Sequence, residues 1–298
     1  MKKLTSLLTL TLLSNLTFGQ TYYDNFKKLF KENDTSKIKT LLSEWEKSNP
    51  NDPEFYTSAF NYYFSNSKQE ILSLQTATPK NDGFQLRDSS GNVAGFLTSN
   101  LNYNQEKLKK AMFYINKGIE KFPNRLDIRF GKCYVLGQIE DYTNFTKSII
   151  ETVEYSKVNK NQWLWTENKP KEDAEKFMLE TVHTYLRQLY ETEDDSLLNN
   201  MIQIGVITLK YYPKSIEILS TTSVALMLLE NYDKAIQYLK QAEQLNPKDF
   251  IVLSNIAQGY KLKGDKENAI KYYELTLKHG DEQAKKYAQT QIEKLKKN

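Results

Sequence analysis

Apolar residues recur along this chain at helical spacing, and toward the C-terminus the whole pattern repeats with a period of about 34. Leu219, Ser223, Leu226, Ala235, Leu239, Ala242 and Pro247 are echoed one period later by Leu253, Ala257, Tyr260, Ala269, Tyr273, Thr276 and Asp281. Pro213 precedes Pro247 by the same interval. Steps of three and four within each block describe one face of a helix, and one such period accommodates two helices and two turns. Small residues mark where the helices cross closely: Ser223 and Ala257 in the first helix of each pair, Ala235 and Ala269 in the second. The pattern predicts helical hairpins over 182–281 and a last helix over about 282–297, whose Lys-rich outer face suits the exposed end of a stack.

The step of twelve from Ala235 to Pro247 serves as a ruler upstream. Ala111 and Pro123 fit it, and so do Ile38 and Pro50, with Leu42 and Trp45 along one face and Tyr56, Ala59, Phe60 and Tyr63 in the next helix. Pro50 and Pro123 are 73 apart, one repeat plus 39; Pro123 and Pro213 are 90 apart, two repeats plus 22. Five or six degenerate hairpins between about Tyr22 and Gly280 are therefore interrupted twice, at about 65–102 and 156–171. In the first insertion Phe84, Leu86, Val93, Phe96 and Leu97 alternate around Asp88-Ser89-Ser90-Gly91-Asn92, which reads as a β-hairpin. It has too few apolar side chains to stand alone and is expected to lean on the helices. Its role is either a recognition flap or a loop that covers an exposed end of the core, the second being the plainer. The second insertion carries Trp163-Leu164-Trp165, a pair able to grip a sugar or peptide but more often used to plug a gap between misfitting repeats.

These framework positions resemble the tetratricopeptide repeat family, most fully in the last two repeats. The family's Trp position holds Leu219 and Leu253, and its final Pro is Asp281 in the second copy. The resemblance implies an all-α superhelix, a TPR-like solenoid, with a concave groove lined by the first helix of each pair. The matching positions are Ser220, Val224 and Met227, then Ser254, Gln258 and Lys261. Members that clamp a free C-terminal carboxylate place Lys, Arg or Asn four apart there, whereas this chain has Ser220 with Val224 and Ser254 with Gln258. Extended-peptide or helix binding through apolar and amide contacts is the expectation.

The first residues belong to a different logic. Lys2 and Lys3 precede a stretch from Leu4 to Phe18 with seven Leu and no charge, and Thr17, Phe18 and Gly19 lead to Gln20. This is the layout of a secretory signal cleaved after Gly19, shorter than a membrane anchor. No Cys lies near the cleavage point, so a lipidated form is not expected. Residues 20–298 are then an exported, soluble repeat domain, periplasmic or extracellular.

Charge narrows the partners. The net charge of +4 becomes +2 without Lys2 and Lys3, 39 basic against 37 acidic residues. Lys and Glu are interspersed, as at Lys107, Lys109 and Lys110 or Glu267 and Lys271, without the basic stripe of a nucleic-acid binder. Cys133 is the single cysteine; it falls on the small position of a first helix, as a buried thiol would, and no intramolecular disulfide is available. Twenty Tyr and fourteen Phe supply the bulk that interlocks the hairpins.

Catalytic patterns are lacking. His183 and His279 are the two histidines, far apart in sequence, with no zinc-binding spacing. There is no phosphate loop and no nucleophile elbow. Glu193, Asp194 and Asp195 precede a helix start near Ser196, where carboxylates cap. The expectation is a non-enzymatic protein-protein scaffold or adaptor of the bacterial envelope, without cofactor or metal, binding a protein or peptide segment. The alternative is a small-ligand receptor with the hairpin and the Trp163/Trp165 loop as a lid; a hydrolase built on scattered carboxylates is the weakest reading.

Overall fold

The computed structural model describes residues 21–78 and 83–297, so the leader assigned to residues 1–19 lies outside the described residues. Among the described residues thirteen helices run as six consecutive pairs and one closing helix. They are α1 (residues 21–31), α2 (Thr35–Ser48), α3 (Pro53–Ser65), α4 (Gln105–Lys121), α5 (Leu126–Gln138), α6 (Tyr142–Val158), α7 (Ala174–Tyr190), α8 (Leu198–Tyr211), α9 (Ile216–Leu228), α10 (Tyr232–Leu245), α11 (Phe250–Lys263), α12 (Lys266–His279) and α13 (Glu282–Lys297). A small sheet of β1 (Lys68–Gln75), β2 (Gly83–Arg87) and β3 (Val93–Tyr103) is inserted between α3 and α4. The fold is a TPR-like array of helical hairpins with a β insertion.

Local sequence sets the boundaries. Helices α2, α4, α8 and α10 each stop two positions before Pro50, Pro123, Pro213 or Pro247, as expected where a proline can neither donate to a continuing helix nor tolerate a helical predecessor. The turns inside four of the six pairs repeat one geometry. Asn33, Glu140, Glu230 and Gly264 adopt left-handed φ of 55°, 58°, 59° and 87°. The next residue then donates its N–H five positions back: Asp34 to Leu29, Asp141 to Leu136, Asn231 to Leu226 and Asp265 to Tyr260, at 2.8–3.1 Å. That is the Schellman closure, which satisfies a carbonyl at the end of the helix. The side chains of Asp34, Asn104, Asp141 and Asp265 accept the N–H of Lys37, Lys107, Asn144 and Asn268 and so start α2, α4, α6 and α12.

The two insertions differ from each other. The link from α3 to α4 runs from 66 to 104, whereas α9 and α10 are joined by 229–231 alone, so the first insertion sits inside a hairpin. The excess length of the second is spread out. The α6–α7 link runs from 159 to 173 where α10 and α11 are joined by 246–249, and the α7–α8 link takes 191–197. Helices α6 and α7 are themselves long, at 17 residues each. Helix ends absorb part of what spacing alone assigns to a loop.

The chain divides into two compact units, one of the described residues through Lys132 together with Leu164–Lys169, the other of Cys133–Trp163 together with Pro170 onward. In the first unit the core is aromatic: Phe26, Ile38, Leu42, Trp45, Phe55, Tyr56, Ala59 and Tyr62 cluster. Tyr22 stacks on Trp45 at 5.6 Å, Phe55 meets its edge at 6.0 Å, and the indole N–H donates to Asp52 Oδ2 at 3.1 Å. In the second unit the crossing positions Ser223, Ala235, Ala257 and Ala269 are fully buried, beside Leu219, Leu239, Leu253 and Tyr273. Close approach there is tight: a Cβ on Gly205 of α8 would overlap Thr222 Oγ1 of α9 and lie 2.9 Å from its Cγ2. Thr222 and Ser223 satisfy their own hydroxyls on the carbonyls of Ile218 and Leu219, which lets polar residues occupy the crossing. Cys133 is buried as well.

The sheet has the order β1-β3-β2, both pairs antiparallel. The hairpin of β2 and β3 closes where the turn residues predict, with Asp88 Oδ1 accepting from Ser90 and Asn92 N–H and Gly91 at φ 83°. A third strand, β1, joins it. The expectation that the hairpin leans on the helices is corrected. At its root Tyr103 stacks on Phe64 at 5.8 Å and Asn104 N–H donates to Ser67 O at 2.7 Å, but Leu72, Leu74 and Phe84 are 67%, 72% and 80% exposed.

Candidate binding groove

In the second unit the first helices of three pairs, α7, α9 and α11, wall a cavity of about 450 Å3. Helix α9 buries Ile218, Leu219, Thr222, Ser223 and Leu226 on its packed side. Its other side presents Ser220 and Val224, both half-buried in the cavity wall. Tyr190 of α7 and Ile251 of α11 add apolar surface, each about half exposed, and Arg187, Glu217, Asp249 and Asn255 stand among them. Asp249 is the N-cap of α11, accepting from Ile251 and Val252 N–H at 3.0 and 3.2 Å. Asn255 Nδ2 donates to Ser220 Oγ at 3.0 Å and ties α11 to α9. An apolar floor with a few fixed polar groups is the usual makeup of a recognition pocket.

A wider opening of about 1050 Å3 adjoins it, sharing His183 and Glu217 and running along α7 to the α6–α7 and α8–α9 links. Lys157, Lys171, Lys176 and Lys214 line it together with Asp173, Glu175, Glu180 and Glu217, so its charges balance. Tyr212 braces its base. Its hydroxyl donates to Asn161 Oδ1 at 3.0 Å and lies 2.5 Å from Ser156 Oγ, and Lys157 Nζ sits over its ring at 4.2 Å. His183, on α7 between the two openings, is half-buried. Burial holds its imidazole below the ordinary range, Glu217 opposing this and Arg187 reinforcing it.

The residues expected to line a groove fall into two groups. Ser220 and Val224 lie in the cavity wall, but on α11 the wall is Ile251, Val252 and Asn255. Met227 is buried. Ser254 is half-buried. Gln258 accepts from the Tyr273 hydroxyl at 3.0 Å, and Lys261 Nζ donates to Gln291 Oε1 of α13 at 2.8 Å. The closing helix thus occupies the surface at that end. The α7 wall could not be reached by the repeat step, because the longer α7–α8 link breaks the register.

The two tryptophans separate. Trp163 is 1% exposed and packs on Tyr155 at a centroid distance of 5.8 Å, so it has no free face for stacking on a ligand. Trp165 is half-buried, its backbone N–H donating to Lys169 O at 2.8 Å. In the first unit the segment around Trp165 is held by a buried charge cluster. Arg125, 1% exposed, donates through Nη1 to Glu54 Oε1 at 2.7 Å and through Nε and Nη2 to Asp127 at 2.9 and 2.7 Å. Glu167 N–H donates to the same Glu54 oxygen at 2.7 Å, and Asn168 Oδ1 accepts from Arg125 at 3.3 Å. Burial pushes the guanidinium pKa down, yet Asp127 and Glu54 outweigh it and hold Arg125 charged. Glu193, Asp194 and Asp195 lie before α8, with Asp194 capping Ser196 N–H at 2.9 Å. Among the described residues no three His, Cys, Asp or Glu side chains converge as a metal would require. No helix among them is long and apolar enough to cross a membrane.

Residues 222–249 and 252–278 each match the tetratricopeptide repeat. Together the two matches run from within α9 to α12. No curated protein matches the sequence. Solved structures with similar folds include the C-terminal part of a TPR repeat-containing protein from Cytophaga hutchinsonii, 12% identical over 86% of this chain and 78% of that one, TM-score 0.44. Others are YrrB, described as a TPR protein with an unusual peptide-binding site (13% identical, 62% and 85% covered, TM-score 0.39), and MamA (14%, 61% and 93%, TM-score 0.36). At these scores the likenesses add nothing to what the repeat match gives.

Proposed function

We propose that this protein is a non-enzymatic interaction scaffold of the bacterial envelope that holds a segment of a protein partner along α7, α9 and α11. The observation that carries this reading is the cavity of about 450 Å3 with Val224, Ile251 and Tyr190 presented beside Ser220, Arg187 and Asn255. Its volume suits one or two anchoring side chains of an extended or helical segment, and the balanced charge of the adjoining opening favours neither an acidic nor a basic one. Export is supported by the leader-like residues 1–19.

A photo-crosslinking amino acid at Val224, compared with one at Gln237 on the exposed side of α10, tests the reading in a native envelope extract. The expected result is a discrete protein adduct from position 224 and none from 237. Equal labelling from both positions, or no protein adduct from 224, would overturn it.

A further inference from the structure

The β insertion of the first unit carries an apolar face that no part of the described chain covers. Directly opposed residues of an antiparallel pair share a face. The pairs Leu72↔Ser99, Leu74↔Leu97, Glu70↔Leu101, Phe84↔Leu97 and Leu86↔Gly95 therefore place Leu72, Leu74, Phe84, Leu86, Leu97 and Leu101 together. The reverse face is polar at its centre: Ser73 and Thr98 hydroxyls lie 2.9 Å apart, and Asn100 donates to Ser73 at 3.0 Å. A three-stranded sheet gains independent stability by burying one hydrophobic face against a second layer. This sheet has the face, and among the described residues no second layer covers it.

We infer that the missing layer is the same sheet of a second copy of this chain, packed face to face. Area is one argument. The six side chains, chiefly Leu72, Leu74, Phe84 and Leu101, present roughly 500–600 Å2 of apolar surface, the upper end of what monomers leave open and a size that is often functional, and two copies would remove about 1,000–1,200 Å2 together, the lower end of specific interfaces. Charge is the other. The apolar centre bears no charge, so identical faces meet without like-charge repulsion. Along β1 the rim of this face carries Lys68 and Glu70, one of each sign, while Arg87 turns to the reverse face and donates to Gln85 Oε1 at 2.7 Å. A balanced rim offers no excess of cations to an anionic lipid surface and no single-sign field to a charged partner. Interdigitated leucines around Phe84 form a two-layer sandwich with the sheets about 10 Å apart.

Sedimentation equilibrium of the purified chain over the micromolar range tests this, with Leu72→Lys, Phe84→Lys and, on the reverse face, Ile71→Lys. All three positions are exposed, so circular dichroism of the variants should match that of the parent. The expected result is a dimer in the parent and in Ile71→Lys, with the dissociation constant raised at least about tenfold by each of the other two changes. A parent that stays monomeric overturns the inference, as does a dimer unaffected by both Leu72→Lys and Phe84→Lys. A monomer that floats with phosphatidylglycerol vesicles in a Phe84-dependent way would also overturn it and assign the face to lipid.

Discussion

Replacing Arg125 with Met is the most searching perturbation of this structure, because one guanidinium holds Glu54, Asp127 and the segment 166–168. Met approaches its length but brings no charge, leaving two carboxylates facing a buried, uncompensated site. Breaking a buried ion pair from one side costs about 3–5 kcal/mol. The backbone adds to this, since Glu167 and Asn168 stand in the left-handed region at φ 60° and 55°, conformations that cost roughly 1 kcal/mol or more each and persist only where neighbours enforce them. Urea unfolding followed by circular dichroism should therefore show a loss of about 3–5 kcal/mol. Glu-C protease should cut after Glu167 faster in the variant, because Arg125 and Glu54 no longer hold that segment. The triple change Arg125→Met, Glu54→Leu, Asp127→Leu should recover most of that stability, because the penalty comes from the orphaned charges and not from the lost attraction. If Arg125→Met costs less than about 1 kcal/mol, the cluster contributes no more than a surface pair and the reasoning fails.

Four further outcomes follow from single contacts. Gly205→Ala should cost about 1–3 kcal/mol in thermal unfolding, since its Cβ would overlap Thr222 Oγ1 and α8 must shift or the hydroxyl must leave its carbonyl; an unchanged melting temperature would count against the tight crossing. Glu230→Gly should stabilise by about 0.5–1 kcal/mol, relieving a left-handed φ of 59° at the position that the next repeat fills with Gly264; destabilisation in the same assay would refute this. Asp249→Ala should cost about 1 kcal/mol by removing the α11 cap, measured by hydrogen exchange of the Ile251 and Val252 amides, which must speed up. His183 is held below its ordinary pKa by burial, so below about pH 6.5 the unfolded chain takes up the proton first. Its contribution is thus intact above that pH and lost on acidification. His183→Gln should flatten that part of the pH dependence of urea unfolding, and an identical pH slope in parent and variant would exclude it.

Periodicity alone determined the helical hairpins. The C-terminal echo placed Ser223, Ala235, Ala257 and Ala269 at helix crossings, and all four are fully buried. The prolines marked helix ends, and the Asp88–Asn92 cluster marked a turn, because these signals act over a short stretch and leave a local trace. What the chain could not declare locally was decided by packing between distant segments. Arg125, Glu54 and Glu167 are far apart in sequence and read singly as surface charges, yet together they form a buried cluster. Gln258 and Lys261 read as groove residues, but Tyr273 of α12 donates to Gln258 and Gln291 of α13 accepts from Lys261. The cavity wall on α7 depends on a link whose length breaks the repeat, so no spacing pointed to Tyr190 or Arg187. The alternation of Phe84, Leu86 and Leu97 marked a hairpin, but the third strand with Leu72 and Leu74, and the open face they share with Phe84 among the described residues, come from the tertiary structure. A residue's partners depend on which elements the whole chain brings against it, while its periodicity depends on its neighbours in sequence.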